Sequence, residues 1–123
     1  MLSNDKLMLA YGLEKEHLDI LKMSNINHKV VTAEMGNMKI EDIIEGLKFD
    51  IYTGEIPNEK VILFNNYEDS ELDKVIKLIR ATMGKEVILA VVTETSAQWS
   101  FNYLLEHLME EREWYKNSQK GRA

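Results

Sequence analysis

Four short apolar runs alternate with four helical stripes along this chain. The runs lie at 7–11 (LMLAY), 29–33 (KVVTA), 61–64 (VILF) and 87–92 (VILAVV). They are short, rich in β-branched residues and bounded by turn formers or charges, which predicts strands. Between them, Ile40, Ile43, Ile44 and Leu47 fall at i, i+3, i+4 and i+7, and so do Leu72, Val75, Ile76 and Ile79. That spacing marks one face of an amphipathic helix. Leu13, Leu18, Ile20 and Leu21 give a looser stripe. The last helix is the clearest: Phe101, Leu104, Leu105, Leu108, Met109, Arg112 and Tyr115 share one side, and Asn102, Glu106, Glu110 and Glu113 the other.

The two halves resemble copies of one another. Shifted by 54 positions, Lys6, Leu9, Glu14, Leu18 and Asp19 meet Lys60, Leu63, Glu68, Leu72 and Asp73. Shifted by 61, Val30, Val31, Thr32, Glu45 and Leu47 meet Val91, Val92, Thr93, Glu106 and Leu108. The seven extra residues (61 − 54) fall between the first helix and second strand of the later copy, where a surface connection tolerates insertion.

A βαβα unit used twice predicts an α/β fold. The expectation is a single domain over residues 1–115, with pseudo-repeats at about 5–48 and 59–115. It holds a four-stranded, mainly parallel sheet with helices packed on it. The unbroken apolar run VILAVV predicts a strand covered on both sides. Segment 48–59 holds the single proline and is expected to be a structured connection, because Phe49, Ile51, Tyr52 and Ile56 have apolar surface to bury. Residues 116–123, KNSQKGRA, are expected to be a disordered basic tail.

Composition narrows the classes of function. Net charge is −6, and with three basic residues in the tail, residues 1–115 carry 12 bases against 21 acids, a balance of −9. No nucleic-acid binding is expected of so acidic a body, since backbone affinity comes from basic side chains displacing counterions. The chain has no cysteine, which excludes disulfides, thiolate metal sites and thiol nucleophiles. No apolar stretch reaches membrane-spanning length and the first residues carry no leader pattern, so the expected location is cytoplasmic.

The junction TETSAQWSF, 93–101, leads from the fourth strand into the last helix. With Ser100 as N-cap, Trp99 stands at N′ and Leu104 at N4, the spacing of a hydrophobic staple. Together, "ILFNNY" and "LAVVTETSAQWSFNYLLEHLMEER" resemble a family of small bacterial proteins, domain of unknown function 3783. The likeness covers 61–112 and rests on Asn65, Thr93, Thr95, Trp99, Ser100, Leu104 and Leu105. The family pattern often sets proline between the two threonines where this chain has Glu94. The resemblance implies a small bacterial α/β protein and no particular activity.

Candidate chemistry is sparse. In a parallel sheet the loops at the carboxyl ends of the strands converge. They would present Tyr11, Asn65, Asn66, Thr93, Thr95, Ser96 and Trp99, either as a cradle for an anion or small polar ligand or as helix caps and turns. Dinucleotide and P-loop fingerprints are absent, so no cofactor is implied. Glu14 with His17, and His107 with Glu110 and Glu111, arise from charge-rich helices and predict no metal site. No serine sits in a nucleophile elbow, and no catalytic residue is assigned. The seven methionines read as core filler. Trp114 falls off the apolar stripe, so Trp114 and Tyr115 are the interface candidates. The expected function is a non-catalytic interaction or self-associating module, as a homodimer or with a protein partner. Small polar-ligand binding is the alternative.

Overall fold

The computed structural model describes residues 6–46, 54 and 56–120 of the 123-residue chain. Its elements follow in the order β1 (Leu7–Tyr11), α1 (Lys15–Met23), β2 (His28–Val31), α2 (Ile40–Glu45), β3 (Val61–Asn65), α3 (Asp69–Met83), β4 (Ile88–Val91) and α4 (Phe101–Lys120). Short 3-10 turns at Ala33–Met35 and Ser96–Gln98 follow β2 and β4. Leu47 and, within the connection, Phe49, Ile51 and Tyr52 lie outside the described residues. Helix α4 runs on to Lys120, so the segment assigned to the tail begins inside this helix.

The four strands form one sheet in the order β2-β1-β3-β4. Strand β1 runs parallel to β2, and β3 parallel to β4, as a helical crossover requires. The two central strands are antiparallel. The sheet is therefore mixed: two of its three ladders are parallel, as the mainly parallel expectation has it, and the central one is not. The cause is topological: α1 and α3 each return the chain for a parallel partner, whereas the route from β2 to β3 is no single crossover and leaves their relative direction open.

Register agrees with the sequence offsets. Leu9 pairs with Leu63, its own equivalent at a shift of 54. Met8 faces His28 and Val61 faces Ile88, staggers of 20 and 27 whose difference is again seven. Gly12 and Asn66, also 54 apart, end β1 and β3 with positive φ of 75° and 59°. Glu14 and Glu68 then start α1 and α3 in the same extended conformation. The seven-residue difference does not lengthen a loop: α3 has 15 residues against 9 in α1, and the extra turns carry Ile79 and Met83 into the core.

Helices cover both faces of the sheet. On one face Leu7, Leu9, Val61 and Leu63 pack with Ile40, Ile43 and Ile44 of α2 and Phe101, Leu104 and Leu105 of α4. On the other, Met8, Ile62 and Phe64 pack with Leu21 of α1 and Ile79 and Met83 of α3, flanked by Leu72, Val75 and Ile76. Period-2 alternation in two strands that are apolar throughout thus feeds two separate cores, and each buried Leu, Ile or Phe contributes about 1.5–3 kcal/mol. Met8 and Met38 are core, whereas Met23 is 87% exposed.

Between α2 and α4 the chain makes one more antiparallel bridge, Lys39 to Ser100. The Ile40 N–H donates to the Trp99 carbonyl at 3.0 Å and the Phe101 N–H to the Met38 carbonyl at 2.9 Å. These reciprocal bonds flank Lys39 and Ser100, which stand 61 positions apart. Among the described residues no helix is long and apolar enough to cross a membrane.

Candidate functional site

Because β1 and β3 run in opposite directions, the loops after the strands do not converge on one end. Tyr11 lies opposite Val61, at the start of β3, while Asn65 lies opposite Leu7 at the other end of the same ladder. Tyr11 is thereby separated from Asn65, Asn66 and the start of the loop after β4. Its hydroxyl donates to the Pro57 carbonyl at 3.1 Å, its ring tilts against Phe101 at 5.0 Å, and burial pushes its pKa up.

The remaining polar residues of the expected cradle are engaged within the protein. The Thr93 N–H donates to Ser96 Oγ at 2.9 Å, and the Ser96 N–H donates back to Thr93 Oγ1 at 3.0 Å. The Ala97 N–H closes the same turn on the Thr93 carbonyl at 2.9 Å. This reciprocal arrangement is capping chemistry, the alternative weighed for these residue types. Thr95 is exposed at the head of the 3-10 turn. Asn65 is buried at 2% exposure, and Asn66 takes the left-handed conformation that asparagine tolerates better than most residues.

Ser100 is the cap that the spacing predicts: the Tyr103 N–H, at N3, donates to its Oγ at 3.2 Å. Trp99 and Leu104 pack on the same core. The indole also meets Tyr103 and His107 edge-on, at 4.9 and 5.2 Å. Trp99 thus seals the first two turns of α4.

The interface candidates stand at the far end of that helix, Trp114 70% and Tyr115 60% exposed. Tyr115 lines a groove of about 800 Å³ between α4 and β4, with Ile88, Leu89 and Leu108 as its apolar walls. Arg112 lies across this groove, its Nη1 and Nη2 donating to the two oxygens of Glu59 at 3.0 and 2.7 Å. The guanidinium holds the Glu59 carboxyl below its ordinary pKa, against an opposing effect of burial, and Glu59 in turn raises Arg112.

Sequence reading missed what β4 contributes. VILAVV lies at the edge of the sheet and not inside it: its inner residues pack, but Val91 is 50% exposed. The Ile88 N–H reaches the Lys60 carbonyl and the Val92 N–H the Phe64 carbonyl, each at 2.8 Å. By the alternation of a parallel ladder, the N–H and C=O groups of Leu89 and Val91 then face outward. The Val87 carbonyl is covered by Arg80 Nη1 at 2.9 Å, which closes the start of the edge. No charge or proline, the residues that commonly guard an edge strand, stands in ILAV, so the sequence carried no mark of an edge. The opposite edge, β2, carries His28 and Lys29, and the Lys29 ammonium donates to the last carbonyls of α2 at 2.9 and 3.3 Å.

Among the described residues no three histidine, aspartate or glutamate side chains converge to hold a metal ion. Among the described residues the groove brings together the Arg112–Glu59 ion pair, the Tyr115 ring and the outer side of β4.

Comparison with known proteins finds no match among curated sequences and none among solved structures. A family model described as Domain of unknown function (DUF3783) matches residues 60–115. The match starts beside β3, takes in α3 and β4, and ends at Tyr115 in α4. The β4 edge and all of the groove's lining residues except Glu59 and Lys116 lie within the segment that resembles DUF3783.

Proposed function

We propose that the protein is a non-catalytic interaction module whose contact surface is the β4 edge together with the distal half of α4. The observation that carries this reading is the uncharged, outward-facing strand edge at Leu89 and Val91 beside a groove lined by the exposed Tyr115, with the exposed Trp114 preceding it on α4. An open edge offers main-chain hydrogen bonds to an added strand, and the neighbouring groove offers apolar anchorage. Tyrosine and tryptophan are the residues that most often anchor such contacts.

Immobilised wild-type chain, Val91→Lys and Trp114→Ala test it. The lysine charges the edge while leaving the ladder to β3 intact. The expected result is a partner, a second copy of the chain included, retained by the wild type and lost from both variants. Equal retention by all three, with unchanged melting, would remove this surface from consideration.

A further inference from the structure

Resting on that reading, we infer that the occupant of the surface is a second copy of this chain, joined through antiparallel pairing of the two β4 strands. Charge selects this partner. The chain carries a net −6, so two copies repel over most of their surfaces. The rim of the β4 groove is the exception: Lys85, Arg112 and Lys116 stand against Glu59, Glu86 and Glu111, three bases and three acids. A patch of balanced charge meets its own image under a two-fold axis without the net repulsion felt elsewhere, and such an axis closes a dimer without leaving a further edge in use.

The open groups set the register. Only Leu89 and Val91 turn their peptide groups outward within β4, and Arg80 already occupies the Val87 carbonyl. An antiparallel neighbour uses all the open groups when Leu89 pairs with Val91 of the second copy, which centres the two-fold on Ala90. The two four-stranded sheets then continue as one of eight strands. Ile88 and Ala90 share a core with Leu108 of α4, so both α4 helices flank the seam and Tyr115 borders it.

Sedimentation of the full chain gives the first test. The wild type is expected at twice its 14.3 kDa mass, and Val91→Lys at 14.3 kDa with an unchanged melting temperature. The absence of native cysteine allows a second. Val91→Cys is expected to cross-link to itself with a short bis-maleimide, whereas Met23→Cys, exposed on α1, stays uncoupled. A wild-type monomer at all accessible concentrations overturns the inference. So does a dimer that Val91→Lys leaves intact or in which Val91→Cys fails to couple. A monomer whose β4 edge still captures a different protein, sensitively to Val91→Lys, overturns the second copy as occupant while leaving the interaction module standing.

Discussion

Lys39 and Ser100 stand 61 positions apart, at equivalent places in the two halves, and they pair directly with each other. Each is the residue before a helix, α2 and α4 respectively. Their chemistry differs: Ser100 caps α4, whereas Lys39 has extended dihedrals, φ −66° and ψ 146°, and no side-chain cap. Ser100→Ala is expected to cost about 1 kcal/mol. Lys39→Ser, supplying the missing oxygen at the equivalent place, is expected to stabilise by roughly 0.5–1 kcal/mol. Urea denaturation of both variants measures the pair.

Gly12 and Asn66 both turn the chain with positive φ, but in unequal space. A Cβ at Gly12 would meet the Glu59 carbonyl oxygen at 2.0 Å, and backbone cannot step aside as a side chain can. Gly12→Ala should destabilise by about 3 kcal/mol or more, combining a left-handed conformation with overlap. Asn66→Gly keeps the conformation permissible and should change stability by less than ~1 kcal/mol. Thermal melts that ranked the two alike would contradict this difference.

Thr93 and Ser96 exchange hydrogen bonds and act as one unit. Either alanine substitution leaves the other residue's peptide N–H without its partner, at a cost of about 1–2 kcal/mol. Because the Thr93 Oγ1 to Ser96 Oγ hydrogen bond, 3.2 Å, is lost in either single variant, the double variant should lose less than the sum of the single losses. An additive double-mutant cycle would mean that the turn is held by other contacts.

Glu59 confers a pH dependence whose sign is fixed. Its pKa is depressed in the folded protein, chiefly by the Arg112 hydrogen bonds, from an ordinary 4.5. The pair therefore stabilises the fold fully above the unfolded value, and this contribution is lost as pH falls through the folded one. Glu59→Gln should be less stable than wild type by about 1–2 kcal/mol at neutral pH. The gap between the two melting curves should stay constant down to about pH 5 and narrow below it. A gap that widened on acidification would reverse the assigned sign.

Strand and helix identity was legible in the sequence because each element buries a distinct periodic pattern, and Leu9 and Leu63, equivalent at an offset of 54, prove to be partners in the central ladder. The parallel pairs β1–β2 and β3–β4 were legible from their helical crossovers, but the direction of β3 against β1 was not. LMLAY up to Ala10 and all of VILFN are buried whichever way they run, so nothing in their pattern separates a parallel from an antiparallel neighbour. The same blindness left the place of VILAVV in the sheet open: a strand packed on both faces reads as apolar whether or not its outer edge is paired. The expected ligand loops followed from the parallel assumption and separated with it. Ser100 was found because a cap depends on local spacing alone, whereas the Arg112–Glu59 pair joins residues 53 positions apart and left no local trace.

Amide hydrogen exchange along β4, followed as a function of protein concentration, tests the central claim most directly. The Ile88 N–H is bonded inward to β3 and should be protected at every concentration. The Leu89 and Val91 amides should exchange rapidly in dilute solution and become protected as concentration rises, in step with the sedimenting mass. Exchange at Leu89 and Val91 that stays fast in concentrated solution would show that no second strand joins this edge.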